Sequence, residues 1–244
     1  MPDYGRLSKD SLPHTTPIVS PLYPPPPWPL PGARILKLVF ETEKETVLNW
    51  LPPTLSRSSP AYGVITVVHC PESPVGPFSL ATQYLGCRAR LFIRAFALQA
   101  IVDNPRALAA LREVWGLPCQ LGRVRLTVGS RGVSARIGQG ATLLAELSLR
   151  RLEAIDPGLI RFDPVLSVRM VPSVRDGQGH ALLETLQIDP DYEIKEAFRG
   201  RGSLRYPAAS EGAPWHLFPP LNIVATTYCV ADTELPLARF VTPY

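Results

Sequence analysis

GRVRLTVGSRGVSARIGQGATLLAELSL, the stretch from Gly122 to Leu149, sets the architecture of this chain. It reads as three strands, Gly122–Val128, Val133–Ile137 and Thr142–Leu149, interrupted at Gly129-Ser130-Arg131-Gly132 and at Gly138-Gln139-Gly140. Period-two apolar patterning broken by short glycine turns is the signature of antiparallel strands. The same grammar extends in both directions. Arg34–Phe40, Gly63–His69 and Leu91–Val102 are apolar runs of strand length, and Val165–Pro172 and Ala181–Ile188 flank Asp176-Gly177-Gln178-Gly179 as a hairpin. Tyr192–Phe198 and Asn222–Ala231 read as the last strands.

Helices are few. Glu45–Leu51 places Val47, Leu48 and Leu51 on one face and ends at Pro52-Pro53. Asn104-Pro105 opens a second helix with a capping side chain and proline at its first position, Leu108, Leu111 and Trp115 form its buried face, and Gly116 stops it. Many strands and two helices predict a mainly β (α+β) fold: an antiparallel barrel-like sheet with helices outside it. Ten of the 28 prolines precede Arg34, so residues 1–33 are expected to be an extended, partly polyproline arm, lying on the body or on a neighbouring subunit. No linker or repeat follows, and residues 34–244 are expected to form one domain.

Composition removes several classes of function. With 45% hydrophobic and 19% charged residues the chain can build a core and is not a disordered sequence. No apolar run reaches the roughly 18–20 residues of a membrane span. A net charge of +4 without a dense basic run argues against nucleic acid as a partner. No secretory signal is evident at Met1-Pro2-Asp3-Tyr4-Gly5, and the dispersed Cys70, Cys87, Cys119 and Cys229 read as reduced thiols, so a cytoplasmic location is expected. The four histidines fall in no metal-binding spacing, and no cofactor or metal is expected.

The chain contains no P-loop, dinucleotide fingerprint or nucleophile elbow. The order of local patterns carries more. Arg34–Phe40 and the helix ending Leu51-Pro52-Pro53 are followed by Val75-Gly76-Pro77-Phe78, Asp103-Asn104-Pro105 and Arg112-Glu113-Val114-Trp115-Gly116-Leu117-Pro118. Then come Val168–Pro172, Lys195–Gly200 and Leu221–Val224. In this order they resemble the acetoacetate decarboxylase family over nearly the whole chain after Pro21.

That resemblance implies Schiff-base chemistry, in which a lysine amine condenses with a substrate ketone. The family is the standard example of a lysine made nucleophilic by desolvation and a neighbouring cation. Its two lysines directly follow the G-x-P proline, here Pro118, where this chain has Cys119-Gln120. Two acidic positions of the family's pocket fall at Leu80 and near Val64, and an arginine near its active site matches Arg34. The resemblance therefore implies a kept scaffold and a lost lysine-dependent reaction.

The catalytic candidates are accordingly Arg34, Gln120 and Cys119. Cys119 is either a small packed thiol or a nucleophile, and Gln120 either a carbonyl hydrogen-bond donor or a strand-edge amide. Thr66 shares a pleat face with Val64. Arg94 and Gln99 interrupt an apolar strand on opposite faces, Arg94 as a structural ion pair or a substrate clamp. Val64, Thr66, Leu80, Arg94, Gln99 and Leu117 make up the expected substrate-binding set. His69 and His216 are either acid–base groups or surface residues, and Lys195 is expected to be solvated.

The expected function is a small-molecule biosynthetic enzyme acting without a Schiff base on an apolar carbonyl-containing, polyketide- or terpenoid-like intermediate. Cyclisation, isomerisation, dehydration or a pericyclic step fits. The alternatives are a non-catalytic ligand-binding protein and a lysine-independent decarboxylase. The partner is a small-molecule substrate, with a homo-oligomer expected from the arm and from the family. The expected order of mutational damage is Arg34 or Gln120 first and Cys119 last.

Overall fold

Apolar and polar residues alternate from the end of the proline-rich segment onward, and the chain answers with strands. The computed structural model describes residues 3–244; the first two residues of the arm lie outside the described residues. The first strands are β1 (Trp28–Glu41), β2 (Ser56–Arg57), β3 (Tyr62–Cys70), β4 (Phe78–Ala89), β5 (Phe92–Val102) and β6 (Cys119–Leu121). The glycine-punctuated stretch gives β7 (Arg123–Gly129), β8 (Gly132–Gln139) and β9 (Thr142–Ala154). β10 (Val165–Pro172), β11 (His180–Ile188), β12 (Tyr192–Arg205), β13 (Asn222–Leu235) and β14 (Phe240–Pro243) complete the set. The helices are α1 (Lys44–Leu48) and α2 (Pro105–Glu113).

All fourteen strands belong to one sheet, whose main path runs β14-β11-β10-β5-β4-β3-β1-β13-β12-β9-β8-β7. Most neighbours are antiparallel, as expected. β5, however, pairs in parallel with β10 at Ala95–Phe96 and with β6 at Ala100–Val102, so the sheet is mixed. Among the described residues its hydrogen-bonded path does not close, although β7 curls back over β3, β4 and β5. β6 reaches its parallel position through a βαβ crossover, the connection that parallel strands require. The Asn104 side chain caps α2 by accepting from the Arg106 and Ala107 amides at 2.9 and 3.1 Å. Gly116 then reverses the chain at φ +61°, where any Cβ would meet the Arg169 backbone at 2.8 Å.

Some boundaries differ from the sequence expectation. β1 starts at Trp28 rather than Arg34, within a segment where proline was expected to bar a central strand. Pro29 and Pro31 are tolerated there because β1 pairs only with β13 over that stretch, and β3 joins from Arg34 onward. Thr15, Tyr23 and Trp28 of the arm pack on their own chain. Trp28 is fully buried, edge-on to Trp115 at 5.1 Å, while Tyr23 and Thr15 donate to the Glu113 carboxylate at 2.6 and 3.2 Å. α1 stops at Leu48, so only Val47 of its three expected face residues is buried and Leu48 is exposed. β12 and β13 run longer than their sequence patterns indicate, and no such pattern marks β14.

The sheet separates two cores. Along β1, Leu36, Leu38 and Phe40 face one core, filled from the far side by Ile137, Leu147 and Trp215. Ile35 faces the other, with Trp28, Leu111, Trp115 and Cys119. Alternation of side chains along a strand makes this division unavoidable.

Candidate functional site

The second core is hollow. A cavity of about 110 Å³ opens between the sheet and the layer of α2. β1 contributes Ile35 and Lys37, β3 contributes Val64, Thr66 and Val68, and β4 contributes Leu80 and Tyr84. Leu111 and Leu117 close it from α2 and the turn after it. Phe162 and Asp163 come from the segment before β10, Tyr192 opens β12 on the same sheet, and exposed Glu234 lines the cavity from β13.

Its polar groups are ordered by strand register. Lys37 pairs with Thr66, Thr66 with Thr82, Thr82 with Ala100, and Ala100 with Cys119. One cross-strand row thus runs from β1 to β6, four strand spacings or roughly 19 Å along the sheet. Residues in such a row sit at one level of the same face. The Tyr84 hydroxyl lies beside Thr66 and Thr82; burial pushes it up, and those two hydroxyls partly offset the push. Thr82 Oγ1 is itself buried without a well-formed hydrogen bond.

Lys37 is the charged group of this floor. Its Nζ donates to the Arg161 carbonyl and lies 5.2 Å from the centre of the Phe162 ring, which stacks on Tyr192 at 4.1 Å. Burial lowers its pKa below the ordinary lysine value, and Asp163 and then Cys229 pull partly the other way. The contrast with Lys195 is direct: that lysine is on the surface, paired with Asp232, and its pKa is raised by that hydrogen bond. A depressed ammonium is nearer to the free amine at neutral pH, which is what nucleophilic lysines need.

The structure brings Val64, Thr66, Leu80 and Leu117 together around the cavity. Cys119 is buried behind the same wall, and burial raises its thiol to about 12, so it is a protonated packing group at neutral pH. The other candidates lie elsewhere. Arg34 is exposed and on the Leu36 face of β1, away from Ile35 and Lys37, because one residue along a strand exchanges faces. Gln120 faces away from Cys119; it donates to the Gly212 carbonyl at 2.9 Å and accepts from Gln139 at 2.6 Å. Arg94 donates to Gln187 at 2.9 Å and to the Ile93 carbonyl. Gln99 donates to buried Gln83, which in turn reaches Tyr206 at 3.1 Å within the filled core. A bulge opposite Gln83/Tyr84 puts Gln99 on that side.

Sequence reasoning passes over Lys37, Tyr84, Phe162, Asp163 and Tyr192. For Lys37 a signal is present: a lysine in mid-strand, flanked by Ile35-Leu36 and Leu38-Val39, has to be buried on one face or the other.

A mixed β-sheet wrapped around a largely apolar, small-molecule-sized cavity defines the class of protein. Residues 12–244 match the acetoacetate decarboxylase family, and the chain belongs to that family. It is 25% identical over 239 residues to a decarboxylase, DEC1, of Cochliobolus heterostrophus, covering 92% of each chain. It is also 25% identical over 234 residues to an acetoacetate decarboxylase of Chromobacterium violaceum, covering 93% of this chain and 94% of that one. The solved acetoacetate decarboxylase of Legionella pneumophila superimposes with a TM-score of 0.88 at 20% identity over 99% of both chains, a likeness of fold. Among the described residues no helix is long and apolar enough to cross a membrane.

Proposed function

We propose that this chain is an enzyme whose substrate is a small apolar carbonyl compound, polyketide- or terpenoid-like in character. The reading rests on one observation, a cavity with largely apolar walls in which Lys37 and Thr66 stand paired on the sheet. Such walls exclude water and hold a flexible substrate in one shape, while an amine or hydroxyl on the floor polarises the carbonyl oxygen. Cyclisation, isomerisation, dehydration and a pericyclic step are the reactions this suits. A space of about 110 Å³ takes a group near the size of a benzene ring, so a longer substrate leaves its tail beside exposed Glu234. The likeness to a relative named a decarboxylase favours a second reading, loss of CO2 from a β-keto acid. Both belong to a chain with four reduced thiols, working in a reducing compartment such as the cytoplasm as a homo-oligomer.

The test is to incubate the protein with a panel of aliphatic and aromatic ketones and β-keto acids, and to compare product formed with protein present. Many product equivalents per chain support the enzyme reading. Binding limited to one equivalent, with no product, replaces it with a ligand-binding protein. Light scattering that gives a mass near 26.8 kDa counts against the oligomer.

A further inference from the structure

The family position for an amine is occupied by a thiol, yet the cavity contains an amine. Among the described residues Lys37 is the lysine that lines it; Lys9 and Lys44 are exposed and Lys195 is paired with Asp232 on the surface. The cross-strand register puts Lys37 and Cys119 at opposite ends of the row Lys37-Thr66-Thr82-Ala100-Cys119. Lys37 and Thr66 line the cavity at that level, while Thr82, Ala100 and Cys119 continue the row buried outside its lining. A carbonyl group in the cavity therefore meets the row at its Lys37–Thr66 end.

We propose that Lys37 captures the substrate carbonyl as a covalent imine, from a strand that the lysine pair after the G-x-P proline does not occupy. This rests on the reading of the substrate as a carbonyl compound. The neutral Nζ adds to the carbonyl carbon, and a proton shifts from nitrogen to oxygen to give the carbinolamine. Protonation of that hydroxyl expels water, and the nitrogen lone pair closes the C=N bond to leave a protonated imine. The imine then accepts the electron pair of a bond at the neighbouring carbon, either a C–H whose proton passes to a base or a C–C whose carboxylate leaves as CO2. Protonation of the resulting enamine at carbon and hydrolysis by water return the ketone and the free amine.

Three features fit this role. Burial among the apolar walls disfavours a full positive charge on the nitrogen, against the pull of the Phe162 face, the Arg161 carbonyl and Asp163. Asp163 lines the same cavity and supplies a carboxylate as proton acceptor. Thr66, the direct cross-strand neighbour of Lys37, and Tyr84 beside it supply hydroxyls to the carbonyl oxygen as the carbinolamine forms.

The experiment uses the full chain, 2-hexanone and sodium cyanoborohydride at neutral pH, with peptide mapping by mass spectrometry. Reduction converts a protonated imine into a stable secondary amine on the lysine that formed it. The expected result is one hexyl adduct per chain on the Lys37 peptide, formed at least about 10-fold faster than on Lys9, Lys44 or Lys195. Lys37→Arg keeps the charge and should abolish that adduct while circular dichroism shows a folded chain; Lys37→Gln serves if the arginine variant fails to fold. Label spread over Lys9, Lys44 and Lys195 with none on Lys37 overturns the proposal. So does a Lys37→Arg variant that turns over a substrate as fast as the wild type. A Lys37 adduct without turnover of any ketone supports the imine and sinks the enzyme reading, so the two fail separately.

Discussion

The two faces of β1 meet opposite fates one residue apart. Leu36, Leu38 and Phe40 enter a core filled to contact by β7, β8, β9 and the Trp215 turn, whereas Ile35 and Lys37 enter a core that leaves a space. Both faces are buried, so burial alone does not distinguish structure from chemistry. What distinguishes them is whether the opposite layer completes the packing. The first face is closed by strands in register, the second by a helix, a turn and the 162–163 segment, which bridge the sheet without filling it.

Substitutions on the two faces should diverge accordingly, and the closed one should show the largest effect. Phe40→Ala removes a ring that is completely buried in the filled core, and should cost about 3–5 kcal/mol in urea unfolding. Hexanone trapping on Lys37 should persist in whatever fraction stays folded. A loss below about 1 kcal/mol would mean that the filled core is not filled.

The thiols sharpen the comparison at intermediate size. Cys70, Cys119 and Cys229 lie in the open core, and burial raises each to about 12. The native chain keeps these protons where the unfolded chain, near the ordinary value of 9.0, gives them up. Their contribution to stability is complete below pH 9 and is lost as pH rises toward about 12. The urea midpoint should fall across that window, and iodoacetamide at pH 8 should label the native chain far more slowly than the unfolded one. Rapid native alkylation of Cys119 would identify it as a nucleophile after all. Cys119→Ser should cost only about 1–2 kcal/mol, the usual loss on placing a hydroxyl in an apolar site.

Smallest of all should be the effects of Arg34→Ala and Gln120→Ala, each within about 0.5 kcal/mol of the wild type as surface changes. Neither lines the cavity, so the rate of Lys37 trapping should not move. This reverses the order of damage expected from the sequence. A large drop in trapping for either variant would show that the cavity extends further than its walls indicate.

Much of the fold is legible in the sequence because it is local. Glycine breaks delimit β7 to β9, Asn104-Pro105 marks the start of α2, and period-two alternation places Val64 and Thr66 on one face. The site is only partly legible, for reasons of distance and parity. Which strand lies beside which is a long-range fact, and the row from Lys37 to Cys119 crosses five strands whose order no local pattern encodes. Arg34 and Lys37 sit on the same strand, but an odd separation puts them on opposite faces, and the family resemblance points to Arg34, on the face of the filled core. Phe162, Asp163 and Tyr192 come from connecting or strand-opening positions with no periodicity to reveal them.

An unclosed sheet also has two ends, and each could template a strand from another molecule. At one end Arg123 and Arg125 stand exposed on β7, so an incoming strand would have to bring its backbone against fixed positive charge. At the other, β14 is four residues long and closes on Pro243, which has no amide hydrogen to offer. The main path of the sheet thus ends on a charged strand and a short one, which disfavours strand addition at both margins.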